Sequence, residues 1–302
     1  MKLSCIKPSQ RLGKPRLLII GCGDVGMRLL PLLKQQFRIF ALTSQPERHA
    51  ELRAAGAVPI TANLDQPHSL ARLAGLANYV VHLAPPPATG DSDQRTRNLI
   101  AILPDKSRLV YISTTGVYGN CGAQPFDECR PVAANNPRAK RRVAAECLLR
   151  AWAVRSLSSL SILRVPGIYA ADRLPLERLR KGTPALLAAE DVYTNHIHAD
   201  DLAMLIKLAL FRAAPNRVYH AVDDSDLKMA AYFDLVADHF QLPRPPRLTR
   251  TELAQQISPM LLSFMSESRR MLNRRIKQEL GARLTYPSVS QGVQAALSKN
   301  PT

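Results

Sequence analysis

Three glycines, Gly21, Gly23 and Gly26, follow the unbroken apolar run Leu17 to Ile20 in the order G-x-G-x-x-G. Between a strand and a helix, such glycines do three different things. The first makes the tight turn, the second lets backbone approach a pyrophosphate, and the third lets the helix pack closely on the sheet. The chemistry they support is the grip of a dinucleotide by amides at the positive end of a helix. Gly21, Gly23, Asp24, Val25 and Gly26 are therefore expected to hold such a cofactor. The apolar run suits a strand covered on both faces. Val25, Leu29, Leu30, Leu32 and Leu33 supply the apolar stripe of a helix beginning near Asp24.

About twenty residues past such glycines, an NAD-binding chain usually places a carboxylate for the ribose hydroxyls. Thr43 and Ser44 stand there instead, with Arg48 close behind. Hydroxyls and a guanidinium accommodate a 2′-phosphate that a carboxylate would repel, so NADP is expected in preference to NAD. Arg48 is equally suited to be a solvated helix residue. Asn63, Leu64 and Asp65, after the third strand, are expected near the adenine, and Asp65 is equally suited to cap a helix.

The elements that would position these groups alternate along the chain. Strands are expected at 38–42, 57–60, 79–83, 109–113 and 161–165, and helices at 45–55, 93–103 and 138–156. That alternation implies an α/β fold with a doubly wound parallel sheet of the Rossmann type, its ligands at the carboxyl ends of the strands. Beyond Pro166 the pattern changes, with a strand at 217–221 and helices near 199–213, 229–240 and 267–280, the last ended by Gly281. The chain is thus read as a basic N-terminal tail over 1–15, a dinucleotide-binding domain over 16–165 that also takes the 217–221 strand, and an interleaved, mostly helical substrate-binding lobe over 166–302.

With 302 residues, 46% of them apolar, the chain can bury a substantial core. No apolar run approaches the roughly 20 residues of a membrane span, and Lys2, Lys7, Arg11 and Lys14 are not followed by the apolar stretch of a signal peptide. A cytoplasmic location without a membrane partner is expected. Five cysteines without paired ligand spacing suit reduced thiols. The net charge of +17 admits nucleic acid, an anionic surface or anionic small molecules. Arginines are spread along the chain and aromatic residues are only 5%, too few for base-stacking platforms. Nucleic acid is accordingly disfavoured, the excess is read as a solvated basic surface, and a small anionic substrate is expected.

Four further readings concern single residues. His196 and His198 are expected on opposite faces of a short strand, and with no carboxylate cluster beside them no metal site is expected. Asp200 is read as a helix cap. Asn195 is read as facing a cleft or stabilising a loop. Arg270 and Arg274 would share a face of the last helix, to clamp a substrate phosphate or to lie in solvent.

VVHLAPPP (80–87), VYISTTGVYG (110–119), the helix around Glu146, LRVPGIY (163–169), NHIHADDLA (195–203) and NRRIKQELGARLTYP (273–287) stand beside the glycine loop. With them the chain resembles, over nearly its whole length, the extended and atypical short-chain dehydrogenase/reductases, the NAD-dependent epimerase/dehydratase group. The resemblance implies that Leu83, Ala84, Pro85, Val165 and Pro166 border the cofactor, that the substrate is nucleotide-sugar-like, and that a homodimer forms. Trp152 suits core or interface equally.

In that family a Ser or Thr orients the substrate oxygen, a Tyr exchanges its proton, and a Lys in the pattern YxxxK lowers the phenol pKa and binds the nicotinamide ribose. A phenol with a pKa of about 10 needs that cation to act as a base at neutral pH. Thr114, four residues before Tyr118, falls where the family has its Ser or Thr. The helix reads RAKRRVAAE (138–146), so counting back from Glu146 puts Arg142 at the Lys position and Arg138 at the Tyr position. Arg142 can bind ribose hydroxyls or phosphate but does not exchange protons at neutral pH. Lys140 would be turned roughly 200° away. The catalytic candidates are Thr114, Tyr118 and Arg142, with Tyr118 either replacing the missing phenol or packing its ring along the cleft. Two functions follow: an NADP-preferring oxidoreductase or epimerase-like enzyme, or a non-catalytic dinucleotide sensor or interaction protein that keeps the fold.

Overall fold

Side chains of the apolar run alternate between two cores, as expected of a strand buried on both sides. Leu17 and Ile19 pack with Leu29, Leu30 and Leu33, while Leu18 and Ile20 pack with Leu99, Leu149 and Trp152. The computed structural model describes residues 13–299, so most of the expected basic tail lies outside the described residues.

In chain order the principal elements are β1 (Arg16–Ile20), α1 (Asp24–Leu33), β2 (Arg38–Thr43), α2 (His49–Ala54), β3 (Val58–Thr61), β4 (Tyr79–His82), α3 (Gln94–Ile100) and β5 (Arg108–Thr114). They continue with α4 (Pro137–Arg155), β6 (Ser159–Val165), α5 (Ala199–Arg212), β7 (Arg217–His220), α6 (Met229–His239) and α7 (Val289–Lys299). The seven strands form one parallel sheet in the order β7-β6-β5-β4-β1-β2-β3. Helices α1 and α5 cover one face, α3 and α4 the other. Trp152 belongs to the second of these cores.

Two expected helices are corrected. The 45–55 segment divides into a 3-10 turn, Pro46–Arg48, and α2. Pro46 stands at the first position of that turn, where its missing N–H costs nothing, and the Gln45 amide is taken by the Thr43 hydroxyl at 3.1 Å. Of 267–280, only Arg274–Gln278 is helical, and Arg270–Met271 is a strand paired in parallel with Pro125–Phe126. Arg270 and Arg274 therefore share no helix face. Asp200 is not the cap of α5 either; His198 holds that position, its Nδ1 accepting from the Asp200 amide at 3.2 Å.

A third core, containing Tyr169, Leu179, Leu186, Phe233, Val236 and Val293, holds α6 and α7 together. Helix α7 closes it with Gly292 against the Tyr169 ring, where an added Cβ would lie 2.5 Å from Cε2. No helix among the described residues is long and apolar enough to cross a membrane. Gly292→Ala should destabilise the protein by about 1 to 3 kcal/mol through this overpacking. Urea unfolding checks it, and an unchanged midpoint would mean that α7 is not seated on Tyr169.

Candidate functional site

Strand order reverses direction beside β1, which lies between β4 and β2, and a crevice opens there at the carboxyl ends. The Ile20 carbonyl accepts from the amides of both Leu83 (2.8 Å) and Ala84 (3.1 Å), drawing the two strand exits together. Gly21 turns in this space at φ +80°, and a Cβ on it would sit 2.8 Å from the Ala84 nitrogen. At Gly26 a Cβ would meet Cys22 Sγ at 2.9 Å and Leu83 Cδ1 at 3.2 Å. Gly23 differs from both, since a Cβ there meets nothing within 4 Å.

That open position faces the start of α1. The first bond of the helix runs from the Met27 amide to the Gly23 carbonyl, at 2.8 Å. The preceding amides, of Asp24, Val25 and Gly26, have no partner within the helix. They line a cavity of about 330 Å³ that extends past Leu83, Ser113 and Thr114 to Arg142, Val165, Pro166 and Arg173. A diphosphate is the group such amides accept, and the residues present fit a dinucleotide. Arg142 is fixed in the far wall by donating Nη1 to the Ile112 carbonyl (2.8 Å) and the Tyr111 hydroxyl (2.9 Å).

At the other end, Arg48 donates to the Cys22 carbonyl inside the glycine turn at 2.8 Å and forks onto Glu51 at 2.9 and 3.1 Å. It is a tethered group beside the turn, with Thr43 buried and Ser44 exposed at the tip of β2. Asp65 takes both arms of Arg95, at 2.8 and 2.7 Å, and the same guanidinium reaches the Pro85 carbonyl at 3.2 Å. Asp65 is thus no helix cap; Gln66 precedes the next turn. Leu64 is buried, its carbonyl accepting from Asn98 at 2.7 Å.

A second cavity, about 210 Å³, lies on the other side of Thr114 and Pro166, which border both spaces. Its wall includes Arg138, Tyr193, Asn195, Glu267 and Arg269. Arg269 pairs with Glu267 and donates to the Gly119 carbonyl at 2.9 Å. Asn195 ties the loop, donating to the Arg269 carbonyl (2.8 Å) and accepting from the Met271 amide (3.0 Å). Arg270 forks onto Asp226. Tyr193, Glu267 and Arg173 escape sequence reasoning because their two-residue strand, their segment at the start of the expected 267–280 helix and their short turn are brought to the cavities only by the fold.

Tyr118 does not border either cavity. Its hydroxyl accepts from Arg164 at 2.6 Å and bonds His220 Nε2 at 2.6 Å. The Leu272 carbonyl can only accept, so His220 donates to it from Nδ1 and accepts the Tyr118 hydroxyl's hydrogen bond at Nε2. Arg164 in turn forks onto Glu146 at 3.1 and 2.7 Å, and Glu146 accepts from Ser113 at 2.6 Å. Burial pushes the Tyr118 phenol up to about 12, against the pull of Arg164. Thr114 caps the turn that carries Tyr118, accepting from the Gly116 amide at 3.2 Å.

His196 and His198 both lie against the Tyr169 ring, at 6.3 and 5.2 Å between centroids. The expectation of opposite faces is corrected: residues two apart on a strand share a face. No group of three or more His, Cys, Asp or Glu is gathered as metal ligands among the described residues.

The open glycine turn at the switch point of a doubly wound parallel sheet defines a Rossmann-type α/β protein. Residues 17–221 match the NAD dependent epimerase/dehydratase family, and the chain belongs to it. It is 25% identical to the dTDP-D-glucose 4,6-dehydratase of Mus musculus over 121 residues, which are 37% of this chain and 34% of that enzyme. The match to the Homo sapiens enzyme is 24%, over 37% of this chain and 35% of the other, so the chain spans about a third of the length of the curated relatives it matches.

Among solved structures, a functionally unknown conserved protein from Silicibacter pomeroyi is similar at TM-score 0.76 and 28% identity, over 96% of this chain and all of that one (100%). The UDP-glucose 4-epimerase of Thermotoga maritima, solved with UDP-glucose, gives 0.75 at 16% identity over 94% and 97% of the two chains. The dTDP-glucose 4,6-dehydratase of Bacillus anthracis, in complex with NAD, gives 0.74 at 15% over 95% and 97%. At those identities the last two share the fold.

Three buried imidazoles give the molecule a pH dependence. Burial holds His82, His196 and His220 down to about 3 from an ordinary 6.5. Below pH 6.5 the unfolded chain takes up protons that the native one refuses, so stability falls from there towards about pH 3. The loss should be about 2 kcal/mol for each at pH 5. Asp223, which burial pushes up to about 7, takes up its proton over the same interval and offsets about one of these losses, so the thermal midpoint is expected to drop by roughly 5 °C between pH 7 and pH 5. A flat calorimetric profile over that interval would refute the neutral assignment.

Proposed function

We propose that the chain binds NADP(H), in preference to NAD(H), from Arg48 across the glycine turn to Arg142, and acts as an oxidoreductase or epimerase-like enzyme on a small anionic, nucleotide-sugar-like substrate in the second cavity. The observation that carries this reading is the open Gly23 position beside the α1 amides, in a cavity that meets a second, basic cavity at Thr114 and Pro166. When bound, the nicotinamide supplies the hydride chemistry.

The chain's own residues do the rest. Thr114 accepts its turn bond from Gly116, which leaves its O–H to orient a substrate oxygen. Arg142, locked on a carbonyl and a hydroxyl, presents its remaining N–H groups to ribose hydroxyls. Arg138 and Arg269 make the second cavity attractive to an anion, with Glu267 offsetting part of that charge. Tyr118 is a positioning residue that steadies the Thr114 turn through Arg164 and His220. Tyr193 is the phenol on the cavity wall, and in this reading it takes the proton-transfer role. The neighbours solved with UDP-glucose and with NAD support the pairing of ligands.

One observation favours the second reading, a dinucleotide sensor. One helical turn before Arg142, α4 carries another guanidinium, Arg138, in place of the family's phenol.

NADPH should bind about tenfold more tightly than NADH in fluorescence titrations, and Arg48→Ala should erase the difference. Equal affinities in the unaltered protein would defeat the NADP assignment. Gly23→Asp should abolish binding of both nucleotides with an unchanged melting temperature, since the site is open, whereas Gly21→Ala should unfold more easily. Against a panel of carbonyl and nucleotide-sugar substrates, Tyr193→Phe should lose about 10² in turnover and Tyr118→Phe far less. Tight nucleotide binding with no turnover anywhere in the panel selects the sensor.

A further inference from the structure

A charged cluster closes over the glycine turn from outside. Asp24, the first residue of α1, is held at one oxygen by Arg28 (2.9 Å) and at the other by Arg173 (3.0 Å). Arg28 also reaches Asp200 (2.6 Å) and Asp172 (3.3 Å), so it already answers three carboxylates. Arg173 differs: its side chain's hydrogen bond among the described residues is the one to Asp24. It stands on the turn Ala171–Arg173, which follows the strand Gly167–Tyr169, and borders the same cavity as Gly21, Gly23 and Gly26.

Asp24 places a negative charge beside amides that suit an anion, and a diphosphate arriving there meets like charge. A guanidinium can neutralise the carboxylate and offer its remaining N–H groups to phosphate oxygens in a planar fork. We propose that Arg173 is a clamp for the cofactor diphosphate. Its Nη1 holds Asp24 before the ligand enters, and its other N–H groups turn onto the diphosphate once the ligand is seated. The Arg28 pair with Asp172 keeps the 171–173 turn beside α1, so a side-chain rotation of Arg173 is sufficient. This inference rests on the dinucleotide reading above and adds a residue that the glycine motif does not contain.

The test compares NADPH with 2′-AMP, which lacks the diphosphate, by calorimetric titration of the full chain. Arg173→Gln should weaken NADPH at least tenfold and leave 2′-AMP within twofold, while Arg173→Lys recovers part of the loss. Asp24→Asn should tighten NADPH severalfold by removing the competing carboxylate. Unchanged NADPH affinity in Arg173→Gln, or an equal loss for both ligands, overturns the clamp while leaving the dinucleotide reading intact. If the unaltered protein binds neither NADPH nor NADH, that reading fails and the clamp with it.

Discussion

The two amides that converge on the Ile20 carbonyl set the geometry of everything at the carboxyl edge of the sheet. Drawing β1 and β4 together there leaves no room for a side chain at residue 21, whose Cβ would strike the Ala84 backbone. The same closeness brings α1 down on Leu83 and Cys22, which excludes a side chain at residue 26. Residue 23 is under no such internal constraint. Two of the glycines are thus explained by the packing of the protein on itself, and the middle one is not.

Beneath the cleft runs a second constraint, the buried pair of Arg164 and Glu146, whose side chains are 5% and 4% exposed. Isolated charges at that depth would cost several kcal/mol, and the network meets the cost by giving each oxygen a donor. Ser113 and Arg164 serve Glu146, while Tyr118 and His220 complete the chain to Leu272. It joins the ends of β5, β6 and β7 to α4, the four elements that place Thr114 and Arg142. A phenol committed to this role is withdrawn from the cleft, and for that reason Tyr118 is absent from its walls.

The abundant arginines, read from composition as a solvated surface, divide between two uses. Some form exposed ion pairs of small energetic consequence, such as Arg244 with Asp238. Others stitch the molecule by donating to backbone carbonyls: Arg48 to Cys22, Arg142 to Ile112, Arg108 to Leu210 at the end of α5, and Arg275 to Val218. Composition cannot separate the two, because the stitching arms reach partners distant in sequence.

The strands and the glycine turn were legible because their signals are local. Unbroken apolar runs need two covered faces, and the spacing of Gly21, Gly23 and Gly26 encodes one strand-to-helix turn. Arg142 was reached through the family resemblance, by counting back from Glu146, and the fold sets it on the wall of the cavity beside the glycine turn. The fate of the 267–280 segment was not. Its basic residues suit a helix as well as a strand, and pairing with Pro125–Phe126 decided the matter. Nor could the sequence place Tyr118 in a buried network, bring Tyr193 and Glu267 to one cavity, or set Arg173 over the glycine turn. Those arrangements depend on contacts between segments far apart in the chain, and only the closed sheet with its covering helices fixes such distances.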